Sequence, residues 1–154
     1  MRFASILLAS LLAVSLSGNS YSDETVQDVA QIKDIIQTAY VEGLQNEGDP
    51  KKIDQGFHPD FNLLGIGKDG AMWAYPISEW KEDTARQLQE GKLPRTGDKL
   101  VTIKFLSVDV TGTAAVAKFE FYVGKELKYV DYLSLYKFGD DWKIVSKIFY
   151  QFEN

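Results

Sequence analysis

The chain has 154 residues, with 22 acidic and 17 basic side chains, one histidine and no cysteine. A net charge of −5 without a basic cluster disfavours nucleic acid as a partner, because an acidic surface repels phosphate backbones. The lack of cysteine excludes disulfides, and with a single histidine it argues against a zinc site. We expect no metal and no cofactor.

The N-terminus predicts export. Arg2 is followed by an uncharged apolar run at residues 3–16 and then by small residues, which is typical of a signal peptide. That run is shorter than the roughly 20 residues that span a bilayer, although a retained anchor is an alternative. We predict a signal peptide at residues 1–22, with cleavage after Ser17, Ser20 or Ser22, and a periplasmic or secreted single domain at residues 23–154. After cleavage no contact with a membrane is expected.

Three helices are predicted in the first two thirds of the chain. Apolar residues recur at steps of three and four over residues 26–44, which predicts an amphipathic helix. Asp49 caps a short second helix, and Ser78 caps a third helix that ends at Gly91.

Two short strands are predicted between the second and third helices, at residues 61–66 and 71–75. Residues 57–60 are predicted to form a turn, because Pro59 cannot continue a helix and forces an extended backbone on His58.

From Asp98 onward the pattern alternates between apolar and polar, which predicts four long antiparallel strands. The fold class is therefore α+β, with three N-terminal helices packed on a curved, mainly antiparallel sheet. Matching of apolar residues across hairpins places the loops at residues 111–113, 124–126 and 139–140.

These loops define the strand registers and the two faces of the sheet. Phe119 is predicted opposite both Phe105 and Asp131, while Asp131 lies opposite Ile148. One charge, Asp131, then lies on an otherwise apolar inner face, whose other members are Val101, Ile103, Phe105, Phe119, Phe121, Leu127, Tyr129, Leu133, Leu135, Ile144, Ile148 and Tyr150.

The outer face carries more aromatic and apolar side chains than an ordinary solvated sheet needs. We predict that it is an association surface, most simply that of a homodimer. A hetero-partner remains the alternative. The residues predicted to form this surface are Tyr122, Val130, Tyr132, Tyr136 and Phe149.

Four segments give the chain a family resemblance. They are FHPD at 57–60, DVTGTAAVA at 109–117, YVDYLSL at 129–135 and WKIVSKIFY at 142–150. In this order they resemble the bacterial proteins labelled "putative lumazine-binding", within the superfamily of nuclear transport factor two, ketosteroid isomerase and the SnoaL-like polyketide cyclases. The resemblance spans residues 26–152. It implies a conical fold, commonly dimeric, in which helices close a curved sheet over a pocket, but it transfers no catalytic residues.

Asp131 is the strongest candidate for chemistry. A carboxyl among apolar side chains is partly desolvated, which favours its neutral form and suits it to general acid–base catalysis. Ketosteroid isomerase pairs a protonated aspartate with a tyrosine, and Tyr40 or Tyr129 is the candidate partner here. The alternative is a structural aspartate that is satisfied by a helix hydroxyl or a buried water.

His58 is the other candidate catalytic residue, because it alone is expected to titrate near neutral pH. The alternative is a turn histidine that bonds nearby backbone. The pocket is predicted to hold a small, flat, aromatic or apolar molecule. The candidate ligand-binding residues are Phe57, Trp73, Trp80, Phe105, Phe119, Phe121, Tyr129, Ile148 and Tyr150.

A match to G-x-G-x-x-G at residues 65–70 is set aside, because strand rather than helix is predicted after it. Three functions remain as hypotheses. The first is an exported small-molecule-binding domain. The second is an isomerase, dehydratase or cyclase that uses Asp131 as general acid or base, assisted by His58 or Tyr40. The third is a protein-interaction domain that acts through the outer face.

Overall fold

The computed structural model describes residues 20–153, with side chains from residue 23. The predicted signal peptide at residues 1–22 lies almost wholly outside this range, so export stays a prediction. No helix within the described range has both the length and the apolar character needed to cross a bilayer.

Three helical segments precede or interrupt the sheet. Helix α1 (Ser20–Ile35) continues without a break as a π-helix (Ile36–Glu47), and α2 (Pro50–Gly56) follows after a short turn. Helix α3 (Ile77–Gln89) comes after the first two strands. A single 3₁₀ turn (Gly97–Lys99) then leads into the four long strands.

The six strands form one mixed sheet in the order β2-β1-β6-β5-β4-β3. Their pairings are antiparallel except for β1 with β6, which is parallel. The strands are β1 (Phe57–Ile66), β2 (Met72–Pro76), β3 (Val101–Thr111), β4 (Ala114–Val123), β5 (Glu126–Phe138) and β6 (Asp141–Gln151). Three helices on a curved, mainly antiparallel sheet confirm the predicted α+β fold class.

The long first helix buries the face that its apolar periodicity predicts. Ile32, Ile36 and Tyr40 are buried on this face, and the helix contacts β3 and β6. Its N-terminal end differs from the prediction, since Val26 is 70% exposed and Asp28 is buried instead. The second half has the wider π-helical turn, a conformation that is rare and often found at functional sites.

Asn46 joins the end of the π-helix to the start of β3. Its side-chain amide donates to the carbonyl of Val101 and accepts from the N–H of Val101, both at 2.9 Å. The N–H of Arg95 donates to the Asn46 carbonyl at 2.7 Å. These contacts hold the helix that carries Tyr40 at a defined height above the sheet.

The start of β1 differs from the predicted turn at residues 57–60. Phe57 pairs with Ile144 of β6, and the pairing becomes irregular before it resumes at Asn62. The extended backbone that Pro59 imposes on His58 is compatible with a strand, and the missing N–H of proline fits an irregular stretch of pairing.

Strand registers agree with the prediction over most of the sheet. Phe119 lies opposite Phe105 on one side and Asp131 on the other, and Leu135 lies opposite Ile144. The loops at residues 111–113 and 124–126 are each one residue shorter than predicted. Bulges near Leu106 and Lys128 compensate, so the central pairs are unchanged.

Strand β6 departs from its predicted register beyond Ile144. Ser134 pairs with Ser146 while Leu135 pairs with Ile144, so Val145 is an extra, bulged residue. Since side chains alternate between faces, one extra residue inverts the rest of the strand. Asp131 therefore lies opposite Phe149, not Ile148.

The bulge changes the predicted face of four residues. Ile148 and Tyr150 point to the outer face, where they are 54% and 61% exposed, so their predicted place on the inner face is wrong. Phe149, predicted on the outer face, lies on the inner face, where its ring packs against Tyr129 and Trp73. Lys147, which was not predicted as a site residue, becomes a buried inner-face residue.

A buried carboxylate anchors α1 to the far end of the sheet. Asp28 accepts hydrogen bonds from the Trp142 indole at 2.9 Å and the Lys137 amine at 2.8 Å. Burial alone would raise the pKa of Asp28, but the hydrogen bonds from Lys137 and Trp142 outweigh it and lower this pKa below its ordinary value of 3.8.

Replacing Asp28 by asparagine should remove this anchor's charge and destabilise the fold by about 1–3 kcal/mol at neutral pH. Because the folded-state pKa of Asp28 is lowered, its contribution is present above the unfolded-state pKa and is lost as the pH falls through the folded-state value. The deficit of Asp28→Asn should therefore be smaller at pH 3, below the ordinary pKa of 3.8, than at pH 7. Urea unfolding at pH 7 and pH 3 measures both effects.

The matched control is Asp34→Asn, which changes an exposed acid on the same helix. Equal stability losses for the two variants at pH 7 would contradict the role assigned to Asp28.

Candidate functional site

Three buried polar side chains meet on the inner face of the sheet. The amine of Lys147 lies 2.8 Å from Oδ2 of Asp131 and 2.5 Å from the Tyr40 hydroxyl oxygen. The Tyr40 hydroxyl donates to the same Asp131 oxygen at 2.7 Å. One residue comes from the π-helix, one from β5 and one from β6, so this cluster (Tyr40, Asp131 and Lys147) ties three elements together.

One oxygen of the cluster has no partner. Oδ1 of Asp131 is buried and accepts no hydrogen bond from the residues that the structure describes. Asp131 is fully buried, and the Lys147 side chain is only 7% exposed. A buried carboxylate oxygen without a donor is costly, so this atom marks a position where a hydrogen-bond donor would bind favourably.

Aromatic rings surround the lysine amine. Five ring centroids lie between 4.9 and 5.9 Å from the Lys147 nitrogen. The ring faces attract a cation, while the hydrocarbon surface around them excludes water. The five residues of this aromatic cage are Tyr40, Trp80, Phe121, Tyr129 and Phe149.

Burial changes the protonation of the cluster. Loss of hydration lowers the pKa of the Lys147 amine below its ordinary value of 10.5, and the neighbouring Asp131 charge opposes this shift only in part. Burial, together with the charge of Asp131, raises the pKa of the Tyr40 hydroxyl well above 10.0. Tyr40 is therefore a proton donor throughout the physiological range, and Lys147 loses its proton more readily than a surface lysine does.

The outer edge of the cage is formed by residues of β1 and β2. The Trp73 indole lies directly over Gly65, where a β-carbon would come within 2.0 Å of the ring. Trp73 is 38% exposed and packs on Phe149. Gly65 belongs to the G-x-G-x-x-G match that was set aside, and β2 follows that match as predicted. Because Gly65 has no side chain, the Trp73 indole can lie close to the backbone there.

A cation also lies near the two site tyrosines. Arg95 is half-buried, burial lowers the pKa of its guanidinium, and the Tyr129 and Tyr40 hydroxyls interact with it electrostatically. Arg95 lies in a loop that is held by the hydrogen bond from its N–H to the Asn46 carbonyl. No sequence pattern singled it out.

The space between the helices and the sheet is filled by these side chains. None of five surface pockets found among the described residues is lined by Tyr40, Asp131 or Lys147. The rings of the aromatic cage lie around the Lys147 amine at the predicted ligand site. Phe57, Phe105 and Phe119 pack around it as core or partly buried core residues.

His58 does not join the cluster. Its ring stacks on Phe138 at 4.8 Å, and its Nδ1 accepts from the N–H of Asp60 at 3.2 Å. Phe138 lies seven residues beyond Asp131 along β5, which is about 23 Å at roughly 3.3 Å per residue. His58 instead borders a separate pocket of about 510 Å³ beside Lys81 and Lys143.

The outer face keeps most of its predicted members. Tyr122, Val130 and Tyr132 are half-buried, and Tyr136 is exposed, while Phe149 is replaced there by Ile148 and Tyr150. The homodimer stays a prediction for this modified set of residues.

Lys147 is the residue that sequence reasoning missed. The predicted register paired Asp131 with Ile148, which placed Lys147 on the outer face. A signal was present, however, since an unpaired acid on an apolar face requires a cation and Lys147 is adjacent to the predicted partner. A shift of one residue would have brought the two charges to the same face.

Removing one member of the buried ion pair should leave its partner uncompensated. Lys147→Met and Asp131→Leu should each cost about 3–5 kcal/mol, while the double variant should lose much less than the sum of the two. Chemical denaturation of the four proteins measures this coupling.

Lys125→Met is the control, because Lys125 is exposed in the β4–β5 loop. Additive losses in the double variant, or a loss in Lys147→Met no larger than that in Lys125→Met, would contradict the ion pair.

Comparison with known proteins places this chain in a family. The chain is 29% identical over 121 residues to Aldolase FrzH of Cladobotryum sp, covering 77% of this chain and 89% of that protein. An NTF2-like protein of unknown function from Silicibacter pomeroyi superposes with a TM-score of 0.66 at 20% identity, covering 83% of this chain and 98% of that one.

A second NTF2-like protein of unknown function, from Shewanella baltica, gives a TM-score of 0.65 at 20% identity, covering 84% of this chain and 97% of that one. At this identity the two structures show a shared fold. The family model described as "Putative lumazine-binding" matches residues 27–150, most of the chain. The protein therefore belongs to the "Putative lumazine-binding" family and has the NTF2-like fold.

Proposed function

We propose that this chain is an exported small-molecule-binding domain that holds a largely apolar compound by one polar group. The observation that supports this most directly is that the Lys147 amine and the unpartnered Oδ1 of Asp131 lie together inside an aromatic cage. A carbonyl or carboxylate oxygen of the ligand accepts from the amine, and a hydroxyl or N–H group donates to Oδ1. The rings provide stacking surfaces for a flat skeleton.

Ligand entry requires rings of the cage to move aside. Trp73 is the most exposed ring beside the cage, while Tyr129 and Phe149 are half-buried. Rotation of partly exposed side chains is fast. Contacts between the ligand and the cage offset the free energy that is lost when the rings are displaced. In this proposal the cage is closed in the free protein and opens around the ligand.

Tryptophan fluorescence tests the proposal, because Trp80 belongs to the cage and Trp73 packs against it. A panel of flat aromatic carbonyl and carboxylate compounds should include ligands that change the emission saturably. Lys147→Met should weaken their binding at least about tenfold, which corresponds to the loss of one charge-assisted hydrogen bond.

Trp142 serves as an internal control, since it bonds to Asp28 at the other end of the sheet. The ligand-dependent change should persist in Trp142→Phe and be reduced in Trp80→Phe. A signal that arises from Trp142, or a panel in which no compound saturates, would argue against a ligand site in the cage.

A proton-transfer enzyme is the second candidate function. The observation in its favour is that Tyr40 bonds to both Asp131 and Lys147, which makes a continuous hydrogen-bonded path between an acid and an amine. Such a path can remove a proton next to a carbonyl and protonate the carbonyl oxygen. Similarity to a protein named as an aldolase supports carbonyl chemistry. In this version Tyr40 assists Asp131, and His58 takes no part.

Exchange of α-protons of a bound ketone in D₂O, followed by proton NMR, measures this activity. We expect Asp131→Asn to abolish the exchange, Tyr40→Phe to slow it by about 100-fold, and His58→Ala to leave it unchanged. Circular dichroism establishes that each variant is folded. Exchange at the wild-type rate in folded Asp131→Asn would exclude Asp131 as the base.

A further inference from the structure

We propose that Lys147 is a nucleophile that forms a Schiff base with an aldehyde or ketone group of the bound compound. This inference rests on the proposed function, because it names the chemical class of ligand and the bond that the same site makes. It adds covalent chemistry to a residue that would otherwise act only as a hydrogen-bond donor.

The surroundings of the Lys147 nitrogen suit an amine nucleophile. A lysine attacks a carbonyl only in its neutral form, and burial in a hydrophobic pocket is a common way to increase that form. The amine is enclosed by the aromatic cage, and Oδ2 of Asp131 at 2.8 Å is placed to accept its proton. The loss of hydration that lowers the pKa of the amine acts in the same direction.

Other lysines lack this environment. Lys52 and Lys137 lie partly exposed beside acids, and hydrogen bonds to Glu47 and Asp28 raise their pKa values. Among the described lysines whose pKa departs from 10.5, Lys147 alone is lowered. A carbonyl reagent at neutral pH should therefore distinguish Lys147 from the rest of the chain.

The three members of the cluster balance the reaction without any further reactant. The ammonium of Lys147 gives a proton to Asp131, and the neutral amine adds to the carbonyl carbon. The electron pair of the C=O double bond moves to oxygen, which takes a proton from Tyr40. The Tyr40 oxygen recovers a proton from the nitrogen that has just added.

The carbinolamine then loses water. The proton held by Asp131 passes to the hydroxyl group, the C–O bond breaks, and the nitrogen lone pair forms the C=N bond. The products are one water molecule and an iminium cation beside the regenerated Asp131 carboxylate. The site thus begins and ends with one positive and one negative charge, so the buried ion pair is conserved.

Reductive trapping tests the inference. Benzaldehyde, cinnamaldehyde and acetophenone are each incubated with the protein and sodium cyanoborohydride near pH 7, and adducts are located by peptide mapping and mass spectrometry. With at least one of these compounds we expect the adduct at Lys147 to exceed that at any other lysine by tenfold or more. Tyr40→Phe should slow trapping by on the order of 100-fold without moving its site.

Lys147→Arg is the matched variant, since it keeps a cation beside Asp131 but cannot form the adduct. The wild-type peptide map decides the question even if this variant fails to fold. Adducts spread over exposed lysines with Lys147 unmodified would overturn the inference.

Binding of the same compounds, measured by tryptophan fluorescence, separates the Schiff-base proposal from the proposal of a ligand site. Saturable binding without an adduct at Lys147 overturns the Schiff base alone, while absence of binding and adducts across the panel overturns both.

Discussion

The buried ion pair between Asp131 and Lys147 is the constraint on which the rest of this structure depends. Two charges in an apolar interior are stable only when they are close and hydrogen-bonded, so the pair fixes which residues of β5 and β6 face each other. The π-helix is constrained in the same way, because its position on the sheet must bring the Tyr40 hydroxyl within hydrogen-bond distance of both Asp131 and Lys147. The hydrogen bonds of Asn46 to Val101 hold the C-terminal end of that long helical segment on the sheet. The hydrogen bond between Asp28 and Trp142 holds its N-terminal part.

One extra residue in β6 makes the ion pair possible. The bulge at Val145 turns Lys147 and Phe149 inward and sends Ile148 and Tyr150 outward. A bulge next to a functional residue is a recurring way to redirect a side chain within a sheet. Here it supplies both the amine and one ring of the cage around it. The proposed binding and carbonyl chemistry therefore depend on a local irregularity in one strand. The fold itself is shared by many proteins with different functions.

Much of this arrangement could be predicted from the sequence, and its limits have physical reasons. Helical periodicity placed Tyr40 on the inner side, and apolar matching placed Asp131 opposite Phe119. Lys147 was missed because alternation assumes an unbroken strand, although the single acid on an apolar face indicated that a cation had to lie nearby. His58 was expected to assist Asp131, but in the structure its ring stacks on Phe138 at the end of β5. Arg95 is placed by a loop, where periodicity carries no information.

The protonation of Lys147 tests the central claim most directly. The methylene carbon next to its amine, followed by ¹³C NMR across a pH titration with Lys147→Arg for assignment, reports the pKa of this group. Burial in the aromatic cage predicts a pKa below the ordinary value of 10.5, with a further fall in Asp131→Asn, where the opposing charge is absent. A pKa at or above 10.5 that is unchanged in Asp131→Asn would mean a solvated lysine, and would contradict both the buried ion pair and the site built on it.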